Sequence, residues 1–198
     1  MNYFDITRLL LIISILSGCS SSSPNHGVSL SQPAHFKSNL IDHAISRSNG
    51  LGIDATSFTI IDYTLTSEVE RLFIVDAESG HILHQSLVAH AKQSGYRLPT
   101  QFSNVYGSNQ SSGGLFKTGE TYFGVNGYSL RIDGLEVGIN DKARSRFIVV
   151  HGAHYVSKKY LEHNGMLGRS EGCFAIPFDN LRDVIDRIKE SEYIFVHH

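Results

Sequence analysis

The sequence has 198 residues, of which 17 are Lys or Arg and 19 are Asp or Glu, and it contains no block of basic residues. This near-balance of charge gives no electrostatic support for nucleic-acid binding. Once a leader and a tether at the N-terminus are set aside, roughly 165 residues remain, which is enough for one domain with a core of its own.

Residues 1–18 have the pattern of a lipoprotein signal peptide. Arg8 precedes the apolar run LLLIISIL, which has the length of a signal-peptide core and is too short to span a bilayer as a helix. The run leads into LSGC, which resembles a bacterial lipobox with cleavage before Cys19 and lipid attached to its thiol. We therefore expect an exported protein anchored by lipid in the cell envelope, and Ser20 favours the outer membrane facing the periplasm. The alternative is an ordinary secretory signal followed by a chance cysteine.

Residues 19–34 are Ser-rich, broken by proline and without a periodic apolar face, so they predict a flexible tether before a domain over 35–198. The chain has two cysteines, which in an exported protein first suggest a disulfide. If Cys19 carries lipid, however, Cys173 has no partner. A lone thiol in an oxidising compartment is liable to oxidation, so its presence points to a role for Cys173.

Most of the domain is predicted to form strands. Apolar residues at helical spacing predict an amphipathic helix over 35–48. β-branched and aromatic residues predict strands over 58–65, 71–75, 81–88, 128–132, 147–150 and 193–196, with a second helix over 181–188. The stretch 95–121, rich in Ser, Gly and Asn, predicts a long ordered loop, with a mobile surface loop as the alternative. These elements predict a mainly β domain.

The chemistry of the chain is expected at Cys173, which stands in the small-residue turn GRSEGCFAIP. A thiol becomes a nucleophile when a neighbouring imidazole or backbone N–H groups favour its ionised form. His151 is the first candidate for that imidazole, because it directly follows the apolar segment FIVV and precedes Gly152, which leaves room for substrate. His90 ends another strand and could border the same cleft. The alternative is that Cys173 is a buried small side chain.

The order HG…S-x-G-C is similar to the catalytic motif of the YkuD-like L,D-transpeptidases. The tighter resemblance is to the murein L,D-transpeptidase catalytic domain. It is carried by FSNVYGSNQSSGGLF, ETYFGVNGYSLRIDGLEVGIND, ARSRFIVVHGAHYVS and GMLGRSEGCFAIP, and it extends roughly from residue 72 to the C-terminus. The resemblance implies a β-sandwich or barrel with a few flanking helices.

The resemblance also implies roles for individual residues. Cys173 matches the family nucleophile, His151 matches its base, and Ser170 matches the serine of the cysteine turn. The backbone N–H groups of Gly172 and Cys173 match the donors that stabilise an oxyanion. No metal or other cofactor is implied.

Three positions depart from the family pattern. Glu171 stands where the family has His or Trp, Phe174 stands where the closer branch has Pro, and Ala175 stands where many members carry a substrate-binding Arg. The first two bear on substrate recognition, and the third means that another cation should hold the substrate carboxylate. The candidates for that cation are Arg169, Arg144 and Arg146.

The reaction implied is acyl transfer on peptidoglycan stem peptides. The Cys173 thiolate attacks the carbonyl of the third residue of a tetrapeptide stem and releases the terminal D-alanine. His151 accepts the thiol proton and then donates it to the leaving amine. An amine of a second stem then resolves the thioester into a cross-link, and water in its place makes an L,D-carboxypeptidase.

Two other readings stay open. A catalytically silent lipoprotein that only binds peptidoglycan is compatible with the departures from the family motif. A zinc peptidase is less favoured, because His151 and His154 form H-G-A-H without the helical context or the glutamate base of such sites.

Overall fold

The computed structural model describes residues 38–190 and 192–198. The predicted signal peptide and tether, including Cys19, and the first residues of the predicted helix over 35–48 lie outside this part of the chain. Of the helices that are described, none has both the length and the apolar character needed to cross a membrane.

Eight strands and three helices occur in the described part of the chain, with one short 3-10 turn. In chain order they are α1 (Ser38–Gly50), β1 (Ser57–Asp62), β2 (Leu72–Asp76), β3 (Ile82–Ser86), β4 (Gly114–Gly124), β5 (Gly127–Gly134), β6 (Val149–Gly152), α2 (Lys158–Asn164), β7 (Phe174–Ile176), the 3-10 turn (Phe178–Asn180), α3 (Leu181–Ile188) and β8 (Tyr193–His197). The mainly β class with a few flanking helices is confirmed.

The strands form one mixed sheet in the order β3-β2-β1-β8-β4-β5-β6-β7. The β1–β8 and β6–β7 pairs are parallel, and the remaining neighbours are antiparallel. Just after β3, the Ala89 N–H donates to the Ala175 carbonyl oxygen on β7 at 2.9 Å. The sheet therefore curves until the chain leaving one edge strand meets the other, which leaves β7 paired on both sides.

Apolar residues alternate along β1 because successive side chains of a strand point to opposite faces. Phe58 and Ile60 pack against the α1 residues Leu40 and Ala44, while Ile61 belongs to a second buried cluster. That second cluster also receives the apolar stripe of α3, formed by Leu181, Val184, Ile185 and Ile188. Burial of this stripe fixes α3 beside β5 and β6 and so supports the strand that carries His151.

The elements β4 and α2 differ from the sequence prediction. The loop predicted through residue 121 is wrong from Gly114 onward, because that segment forms β4. A register shift between Thr118 and Thr121 interrupts the β4–β5 ladder, so the apolar alternation that marks a strand is broken. The connection after β6 contains α2, whose residues are all at least partly exposed and so lack an apolar stripe.

Candidate active site

The parallel pairing of β6 with β7 brings Cys173 and His151 to one face of the sheet. His151 is the register partner of Ala175, and Val150 is the partner of Phe174. Val150 and Phe174 point into the core, so His151 and Ala175 point the other way. Cys173 directly precedes β7 and lies two residues before Ala175, which places it on the His151 side.

Both side chains line a cavity of about 740 Å³. Its other walls come from the β4–β5 turn, the end of β6 and the segment after it, the cysteine turn and the start of the 3-10 turn. They are Val125, Asn126, Gly127, Gly152, Ala153, His154, Tyr155, Arg169, Ser170, Glu171 and Phe178. A smaller cavity of about 350 Å³, walled in part by Tyr106 and Arg146, also contacts Cys173 and Glu171. The thiol is therefore reachable, as a nucleophile must be.

A serine holds the cysteine turn in shape. The Ser170 Oγ donates to the Cys173 carbonyl oxygen at 2.7 Å and accepts the Gly172 N–H at 3.2 Å. Gly172 has φ of +137°, a conformation that side chains rarely adopt, and an added Cβ would lie 3.3 Å from the Ile148 Cδ1. The turn therefore requires both the hydroxyl of Ser170 and the missing side chain of Gly172.

The same turn is attached to the segment that leaves β3. The Ser170 N–H donates to the His90 carbonyl oxygen at 2.9 Å, and the Lys92 N–H donates to the Ser170 carbonyl oxygen at 2.8 Å. The Ala91 N–H between them donates to the Ser111 Oγ at 3.0 Å. The long Ser-rich loop and the chain after β3 thus support the cysteine turn from the side opposite β6.

His90 is buried under this attachment and does not line either cavity that contacts Cys173. Its Nδ1 accepts from the Arg71 Nη2 at 2.8 Å, and its Nε2 lies 3.3 Å from the Gly95 carbonyl oxygen. Arg71, itself fully buried, also donates to the Val88 carbonyl oxygen at 3.0 Å. Burial and the charge of Arg71 lower the pKa of His90 to about 4, so the ring is a neutral structural group.

The thiol of Cys173 is protonated in the resting site. Its Sγ donates to the Phe147 carbonyl oxygen at 3.5 Å. Burial raises its pKa above the ordinary 9.0, and the charge of Glu171 acts in the same direction, while a backbone hydrogen bond from Val149 and the charge of Arg146 oppose the rise. Activation therefore requires a base.

Phe147 is where the sequence prediction of a buried strand over 147–150 departs from the structure. The strand begins at Val149, and Phe147 has φ of +59° with its side chain two-thirds exposed. A non-glycine residue with this backbone conformation is uncommon and is held in place by its surroundings. Here the strained backbone directs the Phe147 carbonyl towards the thiol.

The ring of His151 has the tautomer that a base needs. Its Nδ1 lies 2.9 Å from the Gly152 carbonyl oxygen, which can only accept, so Nδ1 carries the proton and Nε2 carries the lone pair. Burial lowers the pKa of His151 below 6.5, and the bond to Gly152 partly offsets this. The imidazole is therefore neutral at pH 7 and able to accept a proton at Nε2.

Gly152 lines the cavity, but the space left by its missing side chain is occupied. An added Cβ would lie 2.5 Å from the Phe178 ring and 2.9 Å from the Leu181 Cδ2. The glycine therefore admits Phe178 to the wall of the cavity, where the sequence prediction had given that space to substrate.

The three candidate arginines lie in different places. Arg169 lines the larger cavity; its Nη1 donates to the Gly95 carbonyl oxygen at 2.9 Å, and its guanidinium lies over the Tyr96 ring. Arg146 lines the smaller cavity and its guanidinium donates to four groups of the Ser-rich loop. Arg144 lines neither cavity and is paired with Asp133 and Glu120.

The three residues that depart from the family motif also lie in different surroundings. Phe174 is fully buried and packs edge-to-face on Phe116 with ring centroids 5.6 Å apart, so it contacts no substrate. Ala175 is fully buried in an apolar cluster that includes Ala89, and it lines neither cavity. Glu171 alone reaches the cavities, where its carboxylate accepts the Lys92 Nζ at 2.5 Å.

Sequence reasoning did not find Tyr155 and Phe178. Tyr155 packs over Gly168: a Cβ added to Gly168 would lie 2.4 Å from the Cβ of Tyr155. Burial raises the pKa of Tyr155 to about 12, and the charges of Cys173 and Glu171 act in the same direction, so it is a neutral phenol beside the thiol. The HGAHY sequence, which begins in β6, was a signal for Tyr155, whereas Phe178 is brought in by packing against Gly152.

Potential metal ligands do not cluster in the part of the chain that the structure describes: no group of three or more His, Cys, Asp or Glu side chains is placed to hold an ion. His154, which the zinc reading paired with His151, is exposed and its ring lies 4.6 Å from that of Phe178.

A thiol and a neutral imidazole that line one cavity define a cysteine–histidine site of the kind that supports nucleophilic catalysis. Residues 31–197 match the family model of the L,D-transpeptidase catalytic domain. The match covers most of the chain, and the protein belongs to this family. A search of curated proteins found no match.

Several solved structures resemble the chain at low identity. An L,D-transpeptidase from Mycobacterium smegmatis is 13% identical with a TM-score of 0.44, and the match covers 74% of this chain and 60% of that one. An L,D-transpeptidase from Xylanimonas cellulosilytica is 11% identical with a TM-score of 0.41, covering 77% and 68%. Mycobacterium tuberculosis L,D-transpeptidase 1 is 13% identical with a TM-score of 0.39, covering 74% and 63%. This chain thus spans less than two thirds of the first and third of these proteins.

Proposed function

We propose that the protein is an L,D-transpeptidase that transfers acyl groups between peptidoglycan stem peptides through a thioester on Cys173. The observation that carries the proposal is that the Cys173 thiol and the His151 imidazole line one cavity, with the lone pair of His151 on Nε2. Membership of the family supports the same chemistry.

In the first half of the reaction, His151 Nε2 takes the thiol proton and the Cys173 sulfur attacks the carbonyl carbon of the third stem residue. The C–S bond forms first and gives a tetrahedral intermediate; the C–N bond to the terminal D-alanine then breaks, and the proton on His151 passes to the leaving amine. His151 is then neutral again and is ready to serve as base for the second half.

The oxyanion of each tetrahedral intermediate needs fixed N–H donors, and the backbone N–H groups of Gly172 and Cys173 are our candidates. The Gly172 N–H donates to the Ser170 Oγ at 3.2 Å. An oxyanion would compete with Ser170 for this donor, because hydrogen bonds to charged groups are the stronger ones.

Arg169 is our candidate for the cation that binds a stem carboxylate, because it is the one of the three predicted arginines that lines the larger cavity. The hydrogen bonds that it makes with described residues use only Nη1, so Nε and Nη2 remain for a ligand. A planar guanidinium suits a carboxylate because two of its N–H groups can donate to the two carboxylate oxygens at once.

The N-terminal sequence supports a further part of the proposal, namely that the protein is exported and anchored to the envelope by lipid on Cys19. Cell fractionation of the wild type and Cys19→Ser tests this part. We expect the wild type with the membranes and the variant in the soluble envelope fraction; equal distribution would contradict a lipid anchor.

The experiment that tests the proposed activity is digestion of defined muropeptides with the wild type and with Cys173→Ala, followed by mass spectrometry of the products. We expect cross-linked stems from the wild type alone. Loss of D-alanine without cross-links would mark an L,D-carboxypeptidase, and no change in any muropeptide would indicate a protein that only binds peptidoglycan.

A further inference from the structure

Glu171 is a charged side chain of the cysteine turn for which the chemistry above has no use. It lies between Ser170 and Gly172, and its side chain is 73% exposed. It lines both cavities that contact Cys173, so a ligand in either cavity can reach both residues.

The Glu171 carboxylate already forms an ion pair with an ammonium group. The Lys92 Nζ lies 2.5 Å from the Glu171 Oε1, and the Lys92 side chain is itself 41% exposed. Lys92 is held near the turn by its own backbone, whose N–H donates to the Ser170 carbonyl oxygen at 2.8 Å. The structure therefore contains a primary amine, on a residue whose backbone is fixed to the cysteine turn, paired with a carboxylate whose residue lines both cavities that contact Cys173.

We propose that Glu171 binds the ammonium group of the acceptor amine and that Lys92 competes with the acceptor for this carboxylate. The inference rests on the proposed acyl transfer. It assigns to Glu171 the recruitment of the second substrate, a primary amine that is protonated in solution, and to Lys92 the role of an internal competitor.

Glu171 takes no part in bond making. The acceptor binds as an ammonium, loses one proton to water, and its nitrogen attacks the carbonyl carbon of the Cys173 thioester. The C–N bond forms while the C–S bond breaks, and the second amine proton passes through His151 to the sulfur, which restores the thiol. Water attacks the same thioester without needing a carboxylate to recruit it, so Glu171 favours transfer over hydrolysis.

A simpler role for the pair is that it only fastens the turn to the segment after β3. The two roles differ in what they predict for single substitutions. Glu171→Gln and Lys92→Met remove the same ion pair, so a fastening role gives both variants effects in the same direction. An acceptor site gives them opposite effects, since one variant removes the carboxylate and the other removes its competitor.

The test is the ratio of cross-linked to hydrolysed product as a function of the concentration of a tripeptide stem with a free diamino acid side chain. Both products come from one thioester, so the ratio does not depend on how fast the thioester forms. We expect Glu171→Gln to lower the ratio about two- to five-fold and Lys92→Met to raise it by a similar factor, as befits an exposed ion pair. Glu171→Asp should retain part of the preference, and added salt should reduce the wild-type ratio.

Ratios that shift in the same direction in both variants, or that do not shift, would overturn the role of Glu171 while leaving acyl transfer intact. A wild type that gives hydrolysis alone at every acceptor concentration, or that forms neither product, would instead refute the proposed transpeptidase function itself, so the two failures are distinguishable.

Discussion

The Ser170 hydroxyl donates to the carbonyl oxygen of Cys173 at 2.7 Å and closes the turn that presents the thiol. The Ser170 Oγ also accepts the Gly172 N–H, so one side chain holds the peptide group that follows Cys173 and the one that precedes Gly172. In the proposed reaction Ser170 is a positioning residue, since it acts through the geometry of Cys173.

Replacement of Ser170 by Ala should lower both stability and acylation. It leaves the Gly172 N–H without its Oγ acceptor, at a cost of about 1–3 kcal/mol, and it loosens the turn. Thermal melts and the rate of carbapenem acylation measure the two effects. Ser170→Thr, which keeps the hydroxyl, should recover part of the rate. Ser145→Ala is the matched control, because Ser145 also donates to a backbone carbonyl but on the exposed surface; equal losses in both variants would contradict the account.

Arg169 should control binding of the donor stem. Arg169→Gln removes the charge while keeping a donor, and we expect the apparent KM for a tetrapeptide stem to rise about ten-fold, as for loss of a hydrogen bond to a charged group. Arg144→Gln is the control, because Arg144 is paired with Asp133 and Glu120 away from the cavity. A rise in KM for Arg144→Gln, or none for Arg169→Gln, would exclude Arg169 from this role.

The fold was predictable wherever an apolar pattern reports on burial. The helix over 181–188 was found because Leu181, Val184, Ile185 and Ile188 recur at helical spacing and all are buried. The helix α2 was missed because none of its residues is buried, although Ser157 caps its start and Gly165 ends it with φ of +71°. The strand β4 was missed because its glycines and its register shift hide the alternation.

The candidate site was predictable where its residues stand in recognisable local sequence patterns. His151 at a strand end and Cys173 in its turn are local patterns, and the structure brings them to one cavity. Which of the three arginines lines the larger cavity was not predictable, because the direction of a long side chain depends on the groups that it meets in the folded protein. Phe178 could not be found at all, since only packing against Gly152 places it there.

The pH dependence of acylation should reflect a neutral base and a neutral thiol. Burial lowers the pKa of His151 below 6.5, so the base loses its proton at a lower pH than an exposed histidine and the acid limb should lie below pH 6.5. His151→Gln should lower the rate by about 10²–10⁴-fold. Its remaining rate should rise with pH up to and beyond 9.0, because the thiol must ionise unaided from a raised pKa. Identical profiles for the two proteins would remove His151 from the mechanism.

Stability should fall in mild acid because of His90. Its pKa is about 4 in the folded protein and 6.5 when exposed, so between these values the unfolded chain binds a proton that the folded protein does not. The free energy of unfolding should therefore decrease by up to about 3 kcal/mol as the pH falls from 6.5 to 4. Denaturant unfolding of the wild type and His90→Asn at several pH values measures this. A slope that is equally steep in the variant would show that other groups cause the loss.

Intact-protein mass spectrometry after treatment with a carbapenem tests the nucleophile most directly. Such a compound presents a strained acyl group to the thiol and requires no acceptor, so it isolates the first half-reaction. We predict one covalent adduct on the wild type and none on Cys173→Ala, with circular dichroism showing that the variant is folded. An unmodified wild type, or an adduct that persists on Cys173→Ala, would contradict the assignment of Cys173 as the acyl-accepting residue.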